Sequence, residues 1–178
     1  MAVVREEPLR RIHQLEALEH SLVCRVAEEV GNRVVVVVLR IASRIGDWPL
    51  SVAVGLLLLA SHGVRVMALW TAASVGAVAI QTFIKRLFTR IRPCERPDGP
   101  PQRAPVPDKG SFPSGHTLHA VMGAVVISQL LPALTPLFVA IAVLVAVSRV
   151  ALGVHYPSDV AAGGAIGALF GSLLCLLV

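Results

Sequence analysis

Three short clusters carry residues of the kinds that bind anions and move protons. Lys85 is followed after six residues by Arg92-Pro93; Phe112-Pro113-Ser114-Gly115-His116 forms the second cluster; Ser148-Arg149, His155 and Asp159 form the third. Lys and Arg neutralise phosphoryl oxygens, Arg with a planar fork of donors. Lys85 and Arg92 lie about two helical turns apart, so they share one face if a helix continues to Arg92, where Pro93 would stop it. Pro113-Ser114-Gly115 reads as a tight turn opening a helix, which aims the Ser114 hydroxyl and backbone N–H groups at an anion by the helix N-terminus. Gly115 permits a close backbone approach. His155 with Asp159 four residues on suggests an imidazole held by a carboxylate through one nitrogen, leaving the other as nucleophile or base. His116 is placed to protonate a leaving oxygen. Together these groups suit phosphoryl transfer, with three cations neutralising charge so that no metal and no cofactor is required.

The elements that must position these clusters are apolar helices. Of 178 residues, 55% are apolar and only 15% charged, where a soluble domain carries about a quarter charged. Mean hydropathy is +0.74 and aromatics are 4%, which suits packed membrane helices rather than a β-barrel with aromatic girdles. Uncharged windows run from Trp48 to Ser61, Val66 to Ile84, Thr117 to Ser148 and Val160 to Val178. The third is too long for one crossing, and Pro132 and Pro136 mark a hairpin bend within it. Five spans follow, near 48–63, 65–86, 115–131, 136–153 and 158–178. This path sends the ends near 86, 115, 153 and 158 to one side of the membrane, so the three clusters meet by parity.

Upstream, Leu9, Ile12, Leu15, Leu18, Leu22 and Val26 recur at helical spacing among charged residues, which predicts an amphipathic helix on the membrane surface. Residues 1–33 present no continuous apolar segment of the kind a cleavable signal has. Val34 to Leu39 is short and bracketed by arginines, and reads as an interfacial helix, with a sixth crossing as the alternative. The chain is thus expected to be all-α, one domain, with 1–45 an interfacial segment and 46–178 a transmembrane core. Pro93 to Pro113 holds seven prolines and predicts an irregular loop rimming the site.

The three clusters, in this order and spacing, resemble the signature of the type 2 phosphatidic acid phosphatase superfamily, whose fold is shared with vanadium haloperoxidases. The resemblance covers about residues 85 to 159. It implies that Lys85, Arg92 and Arg149 bind the phosphoryl oxygens, joined by Ser114 and the amide of Gly115. His155 would attack phosphorus to form a phosphohistidine, oriented by Asp159, while His116 protonates the departing group. It further implies metal-independent action on a lipid phosphate or diphosphate such as phosphatidylglycerophosphate, phosphatidate, undecaprenyl diphosphate or a lipid A phosphate. The expected place is a bacterial inner membrane, with the site facing the extracytoplasmic side. Gly46-Asp47 looks like a turn found in bacterial members, but a dipeptide carries little, and Asp47 is not counted as catalytic. Many bacterial relatives open with an apolar helix, whereas this chain opens with a charged one.

Competing readings were a vanadate-dependent haloperoxidase, a lipid phosphotransferase and a non-enzymatic membrane scaffold. The net charge of +5 would suggest nucleic acid in a soluble chain, yet no aromatic residues interleave with the basic ones to stack on bases, so no nucleic-acid partner is expected. A zinc set of His116, His119, His155 and Asp159 would compete with nearby Lys and Arg for the same space, so His119 reads as a pocket-wall or packing residue. Arg86, Arg90 and Arg96 read as partners of lipid headgroups or of the loop's own acids, with substrate contact open for Arg90. Gly163, Gly167 and Gly171 leave one face of the last helix almost bare, for packing within the chain or for a homodimer seam. With five spans, fifteen of the sixteen Lys and Arg residues fall on the catalytic side, which by the positive-inside rule would be cytoplasmic, against the family's expectation.

Overall fold

The computed structural model describes residues 3–106 and 108–178, without the side chains of 3–9 and 11–13. The described residues form six α-helices: α1 (Val3–Glu29), α2 (Arg33–Ile45), α3 (Trp48–Leu87), α4 (Gly115–Leu130), α5 (Thr135–Ala151) and α6 (Pro157–Cys175). Single 3₁₀ turns at Pro93–Glu95 and Pro132–Leu134 are the other helical pieces, and no strand occurs among the described residues. Three stretches are long and apolar enough to cross a membrane: Trp48–Leu87, Pro132–Ala151 and Pro157–Cys175.

Gly63 decides how the first of these is used. Its φ of 81° lies where a side chain would be strained, and the chain folds back there. Across the resulting hairpin, the Trp70 indole N–H donates to the Ser51 carbonyl at 2.9 Å and the same ring packs on Gly55. The two halves correspond to the predicted 48–63 and 65–86.

Helix α4 is the centre of the bundle, packed against α3, α5 and α6. Without water between them, apolar helices gain by close van der Waals approach, and small residues permit it. A Cβ at Gly163 would run into the Ser114 carbonyl, one at Gly167 into the Leu118 carbonyl, and one at Gly171 would lie 3.0 Å from the Met122 carbonyl oxygen. The glycine face is therefore filled by α4 of the same chain.

The N-terminal helices close the end of the bundle where the clusters lie. On α1 the predicted apolar stripe faces outward at Leu15, Leu18 and Leu22, while Val23 and Ala27 are buried; the side chains of Leu9 and Ile12 lie outside the described residues. Its inward face includes His20, 3.3 Å from Asp98, which ties α1 to the loop. On α2, Val34, Val37, Val38, Ile41 and Ile45 are exposed, whereas Leu39 packs with Ala104, Ala151, Leu152 and Val154.

Candidate active site

Each cluster reaches the site by its own local device. Lys85 stands in the last turn of α3, and the helix stops at Leu87, with Phe88 extended. The helical path from Lys85 to Arg92 is therefore overturned: Pro93 opens a 3₁₀ turn and the helix ends five residues before Arg92. The extended stretch after Phe88 is held by the Ser111 amide, which donates to the Arg90 carbonyl at 2.9 Å, and it carries Arg92 back over the helix end.

At the end of α5, the Arg149 carbonyl accepts from both Val154 N–H and His155 N–H, at 3.2 and 3.1 Å, which tucks His155 over Arg149. Helix α6 then opens at Pro157, and the carboxylate of Asp159 caps it by accepting from Tyr156 N–H at 2.8 Å. The second and third clusters are fastened together by the Ser114 amide, which donates to the Asp159 carbonyl at 2.9 Å.

The groups converge on a cavity of about 430 Å³ lined by Lys85, Arg92, Gly115, His116, Arg149 and His155, with His119 in its wall. Its far end is largely apolar, running between the two halves of α3 past Trp48, Val75 and Val78, with Ser51, Ser74 and Gln81 beside them. Ser114 and Asp159 do not line it. Asp159 stands behind His155, its Oδ2 3.5 Å from His155 Nδ1. Ser114 is fully buried, its hydroxyl 3.1 Å from that of Thr117, while Gly115 next to it lines the cavity.

Arg92, Arg149 and His155 are each 1% exposed and Asp159 is 0%, so each charge must be answered locally. Arg92 donates through Nη1 to the Val154 carbonyl at 2.9 Å and meets His155 Nε2 at 3.1 Å. A guanidinium has donors only, so Nε2 must be the unprotonated nitrogen and the proton sits on Nδ1, facing Asp159. Burial, reinforced by Arg149 and Arg92, pushes the His155 imidazole down to about 3 against the pull of Asp159. At neutral pH it is therefore unprotonated at Nε2, whose lone pair accepts from Arg92 in this structure. The Nε groups of Arg92 and Arg149 have no hydrogen-bond partner among the described residues, so two buried donors remain for an anion.

Four residues that sequence reasoning did not place in the site belong to it. Asp108 bridges the first cluster, Oδ2 to Lys85 Nζ at 2.6 Å and Oδ1 to Arg92 Nη2 at 2.7 Å; burial pushes its carboxyl up, but Lys85 and Arg92 hold it below the usual range. Nothing in a loop of seven prolines singles it out. Asp47 lies 2.6 Å from His116 Nε2, and although burial opposes it, His116, Arg149 and Arg44 keep it below its ordinary value. The Gly46-Asp47 dipeptide was its signal. Arg90, expected among headgroups or the loop's own acids, instead stands 4.0 Å over the Tyr156 ring. It donates to Asp159 Oδ1 at 2.8 Å and to Glu19 of α1 at 2.7 Å. Glu19 also accepts from the Ser158 amide and hydroxyl, both at 2.8 Å. Among the described residues no three His, Cys, Asp or Glu side chains come together as metal ligands.

Comparison with known proteins identifies relatives of the chain. The decaprenylphosphoryl-5-phosphoribose phosphatase of Mycobacterium tuberculosis is 40% identical over 110 residues, 59% of each chain. The lipid A 1-phosphatase of Rhizobium johnstonii is 44% identical over 68 residues, 38% of this chain and 28% of that one. The chain thus spans about three fifths or less of the length of these curated relatives. The crystal structure of the first transmembrane PAP2 type phosphatidylglycerolphosphate phosphatase from Bacillus subtilis shares the fold, with a TM-score of 0.75 over 92% of this chain and 86% of that one at 23% identity. The family model of the PAP2 superfamily matches residues 63–178, and the chain belongs to that superfamily.

Proposed function

We propose that the chain is an integral-membrane phosphatase that hydrolyses a lipid phosphate or diphosphate, without a metal, through a phosphohistidine on His155. One observation carries the reading: three buried cations and a neutral, carboxylate-backed imidazole face one cavity that is basic at one end and apolar at the other. Lys85, Arg92 and Arg149, with the Gly115 amide, take the phosphoryl oxygens, while Ser114 holds the turn. His155 Nε2 attacks phosphorus, its Nδ1 proton held toward Asp159, and the bond from phosphorus to the leaving oxygen breaks. His116 gives that oxygen a proton; burial lowers the His116 pKa, and Asp47 beside Nε2 opposes that and favours the protonated ring. Water, deprotonated by His116, then attacks the phosphohistidine and frees inorganic phosphate, restoring both histidines.

Relatives whose names specify a polyprenyl-linked sugar phosphate and lipid A support a lipid phosphate as the substrate class. In this reading the chain is one domain in a bacterial inner membrane with five crossings. Residues 1–45 form an interfacial segment that roofs the site, and the site faces the extracytoplasmic side. Cysteine labelling in intact cells at Ser61 and in the 94–112 loop tests the side; labelling of position 61 alone from outside overturns it.

The function is tested by phosphate release in detergent with EDTA from phosphatidate, phosphatidylglycerophosphate and undecaprenyl diphosphate. At least one is expected to be hydrolysed, with His155→Ala abolishing release and orthovanadate competing. Release from none of them, or release indifferent to His155→Ala, refutes the reading. Halide oxidation with vanadate, transfer to a second lipid, or no activity would each point to one of the competing readings.

A further inference from the structure

A second cavity, of about 560 Å³, adjoins the first and shares Asp47, His116 and Arg149 with it. Its remaining wall is Arg40, Ser43, Arg44, Gln102, Arg103, Ala104 and Pro105. Four arginines thus face one space in which Asp47 is the only carboxylate, and that carboxylate already holds His116 at 2.6 Å. Like charges gathered around a partly enclosed space repel one another and focus a positive potential, a cost that a bound anion relieves.

Three of the four arginines are also held in place. Arg40 donates through Nε to the Arg103 carbonyl at 2.6 Å. Arg103 itself donates to the Ala27 and Val30 carbonyls at 2.6 and 2.7 Å, which ties the loop to the end of α1. Arg149 donates to the Ser43 hydroxyl. Arg40 and Arg44 are one turn apart on α2, so both present to the same side. The volume lies within the range of about 300–1,000 Å³ usual for small-ligand sites and exceeds what a single phosphoryl group needs.

Position says what would occupy it. The scissile phosphoryl group belongs with Lys85, Arg92 and His155, which line the first cavity and not the second. His116, which serves the leaving oxygen, lines both. Whatever is attached to the leaving oxygen can therefore extend from His116 into the basic cavity. On the same helix as Arg40 and Arg44, the exposed Val37, Val38, Ile41 and Ile45 offer an apolar surface to lipid chains.

We propose that the basic cavity binds a second anionic group of the substrate, a phosphodiester or phosphate on the far side of the leaving oxygen. The favoured substrate is then a lipid whose headgroup ends in a phosphate monoester and carries another phosphate before it. This rests on the phosphatase reading above and narrows it.

The test compares two lipids on the full chain in detergent micelles: phosphatidate, with one phosphate, and phosphatidylglycerophosphate, with a diester and a terminal monoester. Wild type is expected to favour the second in kcat/KM by tenfold or more. Arg44→Gln should lower kcat/KM for it by about tenfold through KM while changing phosphatidate less than twofold, and Arg40→Gln should do the same. Arg44→Lys, which keeps the charge, should recover most of the preference. Phosphatidylglycerol, which carries the diester alone, should compete in wild type and weakly in Arg44→Gln; competition by inorganic phosphate that is lost in the same variant would assign the cavity to the released product and overturn the proposal. Equal losses on both lipids, or no loss on either, also overturn it while leaving the phosphatase reading intact. If wild type hydrolyses neither lipid nor undecaprenyl diphosphate, the phosphatase reading has failed first and the proposal falls with it.

Discussion

Arg90 Nη1 lies 2.8 Å from Asp159 Oδ1, while its Nη2 lies 2.7 Å from Glu19 of the N-terminal helix. The carboxylate that backs His155 is thereby braced from outside the bundle, and Glu19 also takes the first free amide of α6 at Ser158. Arg90 and Glu19 do not line the reaction cavity, so they position the dyad without touching substrate. Arg90→Gln leaves a buried carboxylate with one partner fewer, which typically costs about 1–3 kcal/mol. The expected outcome is a 10- to 100-fold fall in kcat with KM changed less than threefold. Glu19→Gln should fall several-fold in the same direction. Rapid-quench measurement of phosphohistidine formation checks it; a change confined to KM would argue against positioning.

Asp108 occupies the place where an anion is expected, between Lys85 and Arg92. A phosphoryl group must displace it or share its cations. Its side chain is 41% exposed, so the pair is partly screened by water and its displacement is not prohibitive. Asp108→Asn should lower KM for the lipid phosphate about three- to tenfold and lower the inhibition constant of orthovanadate alongside, with kcat within threefold. Steady-state kinetics decide the matter, since a raised KM would make Asp108 a substrate-binding group instead of an internal competitor.

His155 gives stability a pH dependence with a definite sign. Its folded value is about 3, against about 6.5 for an unconstrained imidazole. Between these values the unfolded chain binds more protons than the folded one, so stability rises with pH there. The contribution is complete above about 6.5 and is lost as pH falls toward 3. Thermal unfolding in detergent should therefore drop between pH 6.5 and 4.5, and His155→Asn should flatten part of that slope. Below about pH 4, Asp47 and Asp108, both held below their ordinary values, add to the loss. An identical slope in wild type and His155→Asn would show that the imidazole is not held neutral.

The meeting of the three clusters was legible in the chain because anion binding and proton transfer constrain residue type and spacing together. Lys85, Arg92, Arg149, His116, His155 and Asp159 are found by type, and span parity brings their helix ends to one side. What the sequence hid is of another kind. Arg92 reaches Lys85 by an extended return after Leu87, not along a helix, and a strand-like detour leaves no periodicity to read. Asp108 and Glu19 bond across long separations in sequence, and an acid in a loop or on an amphipathic helix looks like any solvated acid until the partner is known. Arg90 resembled the headgroup arginines around it for the same reason. The amide of Ser114 donates to the Asp159 carbonyl, a bond that only the approach of α4 and α6 reveals.

That approach depends on the glycines of α6. The bond from Ser114 N–H to the Asp159 carbonyl requires the two helices to meet nearly backbone to backbone, and at Gly167 an added Cβ would strike the Leu118 carbonyl, which cannot swing aside as a side chain could. Gly164, three residues earlier, faces Val121 and Thr117 at 3.7 and 3.9 Å, an ordinary contact. Gly167→Ala must therefore push α6 from α4, at a cost of about 1–3 kcal/mol from overpacking. Gly164→Ala replaces a poor helix former by a good one without a clash, a change worth up to about 1 kcal/mol of stabilisation. In detergent, Gly167→Ala should unfold at a lower temperature and lose activity although every residue of the site is retained, whereas Gly164→Ala should match or exceed wild type on both measures. If the two variants behave alike, the glycine face is not what sets the distance between the phosphate turn and the His155–Asp159 pair.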